Sequence, residues 1–71
     1  MKDVYTGRVS AFDEHRGWGE VAGPAGTHYP FHCTAVADGT RTIPVDVGVD
    51  FRLAVGPLGG LEAVAVRQLA P

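Results

Sequence analysis

Apolar and polar residues alternate with a period of two along most of this chain, and short Gly- and Pro-bearing breaks divide the alternation into segments. Residues 4–12 alternate and are rich in β-formers, and the polar run Asp13-Glu14-His15-Arg16-Gly17 ends them. Residues 18–22 form a second predicted strand, closed by the turn Gly23-Pro24-Ala25-Gly26, and residues 28–32 form a third. Residues 33–37 read as a single helical turn before Asp38-Gly39. The fourth predicted strand, 47–55, places Val49, Phe51 and Leu53 on one face and Asp50 and Arg52 on the other. Gly56-Pro57-Leu58-Gly59-Gly60 breaks it, and residues 61–69 form the fifth. There Val64 and Val66 are expected on one side, with Ala63, Ala65 and Arg67 on the other. No stretch carries a 3.6-residue apolar period, repeats another or reads as a linker.

Five such segments predict an all-β fold: a small five-stranded antiparallel OB-type barrel, with residues 1–71 forming a single domain. Curling into a barrel removes exposed strand edges, whereas a flat sheet of this size leaves one apolar face wet. Gly7, Gly17 and Gly19, in or beside strands, suit the coiling that a barrel needs. At 71 residues the chain is near the lower limit for a core that folds unaided, and its 45% hydrophobic content is sufficient for one.

The formal charge of −2 supplies no global attraction for phosphate. That argues against tight, salt-driven nucleic-acid binding and leaves local stacking open. Cys33 is the only cysteine, so no disulfide forms within the chain, and a cytoplasmic location is expected. The first residues have no apolar signal core, and no run approaches a membrane span. A monomer is expected.

Three pieces stand in order along the chain: Gly7-Arg8-Val9-Ser10-Ala11-Phe12-Asp13, Arg16-Gly17-Trp18-Gly19-Glu20-Val21 and Tyr29-Pro30-Phe31-His32-Cys33-Thr34-Ala35-Val36. Together they resemble the bacterial cold-shock domain, whose two motifs run basic-Gly-aromatic-Gly-Phe-Ile and Val-Phe-Val-His-Phe-Ser-Ala-Ile. The resemblance covers residues 5–69. In the C-terminal half it is one of layout, through Ile43, Val49-Asp50-Phe51 and the strand over 60–66.

The resemblance implies binding of single-stranded RNA or DNA, with aromatic side chains on the outer face of the first three strands stacking on unpaired bases. Each such stack contributes about 1–3 kcal/mol. Carried over residue by residue, the implied nucleic-acid-binding groups are Phe12, Arg16, Trp18 and His32, and no cofactor is needed. Ala11, Glu20, Pro30 and Cys33 replace family aromatics, and a further aromatic has no counterpart near Thr40. Tyr29 and Phe31 occupy family valine positions that the alternation points inward, so aromatic bulk has moved from face to core. The expected binding is weak and sequence-tolerant.

Two other readings use the same face. A protein partner on an OB barrel that has lost nucleic-acid binding is the alternative, since Trp18 beside Glu20 and Pro30 suits a peptide about as well as a base. His28, His32 and Glu20, with Cys33 adjacent, form a weaker candidate for a zinc site. No enzyme is expected. The chain has no nucleophile-base arrangement with a third member and no paired acid/base carboxylates, and Gly23-Pro24-Ala25-Gly26 lacks the Lys-Ser/Thr end of a phosphate loop.

Overall fold

Strand-forming residues at alternate positions bury one row of side chains per strand. In a computed structural model, which describes residues 4–57 and 59–69, those rows meet in one core. The strands are β1 (Tyr5–Asp13), β2 (Trp18–Ala22), β3 (His28–His32), β4 (Gly48–Val55) and β5 (Leu61–Gln68). Short 3-10 turns occupy Pro24–Gly26 and Cys33–Ala35, the second being the predicted helical turn. The sheet order is β3-β2-β1-β4-β5, with antiparallel neighbours throughout. Beyond β3, Val36 bridges to Val66 and the Ala37 N–H donates to the Val66 carbonyl at 2.8 Å. That contact brings the β3 end of the sheet round to β5 and closes the barrel.

Val9, Val21, Phe31, Val49, Phe51 and Val66 are fully buried, with Val36, Ile43 and Ala63 completing the core. Tyr5, Phe12, Tyr29 and Leu53 pack around it. The inward turn of Tyr29 and Phe31, expected from the alternation, holds. Gly7 must be a glycine because a Cβ there would collide with the carbonyl oxygen of Ala22.

Two bulges break the alternation. In β1, Val9 pairs with Val21 and Ala11 with Glu20, so Ser10 is an extra residue. In β5, Arg67 pairs with Asp50 and Val64 with Arg52, so three steps on β5 oppose two on β4. The second bulge overturns the expected faces of the last strand. Ala63 and Val66, three apart, are both buried, while Val64 is only partly covered. Ala65 absorbs the extra residue with φ of 50°, a left-handed conformation strained for alanine. Ala65→Gly is therefore expected to stabilise the domain by about 1 kcal/mol, read as a higher urea midpoint.

β3 is the outer strand of the sheet. The Cys33 N–H donates to the Gly17 carbonyl at 2.8 Å, and the Gly23 N–H to the Thr27 carbonyl at 2.7 Å. Those bonds bracket β3 and put the odd-numbered backbone groups toward β2, so the nitrogen of Pro30 lies on the outside.

Candidate functional site

Directly opposed residues of an antiparallel sheet share a face. Across β1, β2 and β3 the outer rows are Asp13-Trp18-His32, Ala11-Glu20-Pro30 and Arg8-Ala22-His28. The rows between them, Phe12-Gly19-Phe31 and Val9-Val21-Tyr29, face the core.

Trp18 is 40% exposed, and its indole meets His32 edge-to-face, with ring centroids 5.1 Å apart and planes at 79°. One ring steadies the other while part of the indole remains in water. His32 also caps the following turn, because the Thr34 N–H donates to His32 Nδ1 at 3.3 Å. Nδ1 also lies 2.9 Å from the Thr34 hydroxyl. A ring nitrogen that accepts a backbone N–H carries no hydrogen, so the neutral ring keeps its hydrogen on Nε2.

Arg16 is an exposed residue of the β1–β2 turn, two positions before Trp18. Asp13 Oδ1 accepts the N–H groups of His15 at 3.0 Å and Arg16 at 3.2 Å, and Gly17 completes the turn with φ of 71°. Among the described residues no carboxylate lies within ion-pair distance of the Arg16 guanidinium.

Phe12 is placed differently. Regular alternation from Val9 would carry it outward, but the bulge at Ser10 turns it in, where it stacks on Phe31 at 5.9 Å with planes 14° apart. Gly19 lies over both rings, and a Cβ there would come within 2.5–2.8 Å of them. The structure thus brings Trp18 and His32 together on the outer face, keeps Arg16 in the adjoining turn, and sets Phe12 on the other side of the sheet.

The same bulge assembles a group that the sequence did not reveal as a unit. Ser10 shares the outer face with Ala11, and its hydroxyl lies 3.3 Å from Glu20 Oε1 and 3.4 Å from His28 Nδ1. Glu20 Oε1 and His28 Nδ1 are 2.8 Å apart, and both side chains are about half exposed. Alternation alone could place Glu20 and His28 on one face; only the strand register makes them partners.

The spacing of the two histidines counts against the zinc reading. His28 and His32 are four residues apart on a strand, roughly 13 Å at about 3.3 Å per residue. They cannot share one ion through bonds of about 2 Å. Among the described residues no three His, Cys, Asp or Glu side chains converge.

An open groove of about 720 Å³ runs between the β1–β2 turn and the loop over 42–45. Phe12, Ile43, Pro44 and Val45 supply its apolar lining, with Asp13 and Glu14 at its rim. The Thr42 hydroxyl donates to Glu14 at 2.9 Å and ties the two segments together. Further along the loop, the N–H and hydroxyl of Thr40 hold the Asp38 carboxyl below the usual carboxylate range.

No protein-family model matches this chain, and no curated protein does. Among solved structures, it is similar to the Drosophila Unr structure designated CSD456, with a TM-score of 0.79 and 24% identity. The alignment covers 99% of this chain and 28% of that one, so the domain spans little more than a quarter of the length of the chain it matches. The fold is that of a cold-shock domain, a small OB-type barrel of five antiparallel strands.

Proposed function

We propose that this domain binds single-stranded RNA or DNA, weakly and with little sequence preference, by stacking unpaired bases on the outer face of β1 to β3. One observation carries the reading: a half-exposed tryptophan steadied by a histidine on the outer face of the sheet, with an arginine in the adjoining turn. An aromatic ring accepts any base because every base has a π-face, and a nearby cation contacts the backbone phosphate. Ala11 and Pro30 offer no ring, and Glu20 sets a carboxylate in the middle row, so affinity is low. The domain acts as a monomer in the cytoplasm, without cofactor or catalytic activity. Ser10 and Glu20 both approach the same nitrogen of His28, whereas a nucleophile relay needs the two ring nitrogens on opposite partners.

Titration with oligo(dT) and oligo(U), followed by Trp18 fluorescence at low and moderate salt, tests the reading. Saturable quenching that weakens with salt is expected. An unchanged signal, with no complex in a separation assay, sinks it. Arg16→Ala should reduce the salt slope by about one phosphate contact while leaving the fold unaltered. Glu20→Phe should tighten binding fivefold or more, about 1 kcal/mol, by adding a platform and removing a like charge. If that variant binds no better, the face has been assigned wrongly.

The groove beside Phe12 favours a second reading, a peptide partner, because its lining is apolar and its rim acidic. Binding that perturbs Val45 and leaves Trp18 untouched would select it.

A further inference from the structure

We propose that the Glu20–His28 pair makes the outer face pH-responsive: protonation of His28 neutralises Glu20, and single strands then bind more tightly. The inference rests on the nucleic-acid reading above and adds a regulation of the same site.

Glu20 holds the centre of the middle row, between Ala11 and Pro30, which carry no charge to offset it. Its carboxylate lies 2.8 Å from His28 Nδ1. Nδ1 therefore bears the hydrogen and donates it, leaving Nε2 as the nitrogen that takes up a proton. Protonation turns the existing hydrogen bond into an ion pair without moving either side chain, and it adds an N–H donor at Nε2. The proton comes from solvent, and the centre of the face passes from one negative charge to none.

Other groups do not substitute for this pair. On β1, Ser10 bridges the two side chains but carries no ionisable group, and Arg8, in the same row as His28, turns its guanidinium to the Asp46 carbonyl at 2.5 Å. On β2, Ala22 is neutral, and the adjoining turn Pro24–Gly26 has no titratable side chain. Asp13, His15, Arg16 and His32 belong to the opposite end of the face, around Trp18. His32 differs chemically, because a proton on its Nδ1 would displace the hydrogen bond from Thr34.

The test is the anisotropy of a rhodamine-labelled oligo(dT), titrated at about pH 5.5 and about pH 8 with constant ionic strength. Circular dichroism at both values verifies the fold. The wild-type domain should bind about three- to tenfold more tightly at the lower pH, the size expected for removing one charge near the phosphates in water. Glu20→Gln should bind more tightly than the wild type at both values and keep a pH response, because His28 still gains a charge. His28→Gln should bind weakly at both. Both substitutions are at half-exposed positions, and the His28 variant decides the matter. A pH response of full size in His28→Gln overturns the switch and leaves the nucleic-acid reading standing. Absence of any complex at either pH overturns both.

Discussion

Phe31→Ala is expected to leave the domain without a cooperative unfolding transition, or with one shifted to very low urea. Phe31 is fully buried, and its removal costs about 3–5 kcal/mol through lost burial and the cavity left behind. A 71-residue chain has roughly 4–11 kcal/mol of stability in all, at about 0.05–0.15 kcal/mol per residue. Phe12 cannot collapse into the space freely, because the bulge at Ser10 and the pairing of Phe12 with Gly19 fix its backbone. Gly19 itself has no side chain to contribute, and its lack of one is what admits both rings. Urea unfolding followed by circular dichroism measures the effect. A midpoint near that of the wild type would mean that the aromatic layer under β2 is not what holds the barrel together.

Trp18→Ala should do the opposite, sparing the fold and removing the binding. The indole is 40% exposed, and its one aromatic contact is with His32, so the stability loss should be about 1 kcal/mol, the scale of an aromatic pair. The loss of a stacking platform is worth about 1–3 kcal/mol, a fivefold to more than hundredfold drop in affinity. Since Ala11 and Pro30 provide no second platform on this face, the remaining affinity should fall below detection. Anisotropy of a labelled oligonucleotide measures it, because the variant has no tryptophan left to report. Retained affinity would show that bases do not sit on Trp18, and a lost unfolding transition would show that the indole serves packing instead.

Much of this architecture could be read from residue order. Val49 and Phe51 follow the alternation of β4 into the core, and Tyr29 and Phe31 follow that of β3. Each of those strands is regular, so a period of two translates directly into inside and outside. The errors come from the bulges. Neither is marked by a glycine at the extra residue, since Ser10 and Ala65 occupy those places. A single extra residue inverts everything after it, which is why Phe12 lies inward and why Ala63 and Val66 share a side. Glu20 and His28 were legible as neighbours on one face, but their direct pairing, with Ser10 beside them, was not. It depends on the register of β2 against β3, a property of pairing that the composition of either strand leaves unspecified.

Pro30 has a consequence that reaches beyond a single molecule. An incoming extended chain that tried to lengthen the sheet along β3 would seek a donor at the strand's midpoint and find a pyrrolidine ring there instead. The ring blocks templated growth at that border, and it does so in every copy. Each copy therefore offers an incoming strand one donor fewer at the middle of this border. Pro30→Thr should reopen it, giving thioflavin-positive material on prolonged shaking while the folded state itself changes little.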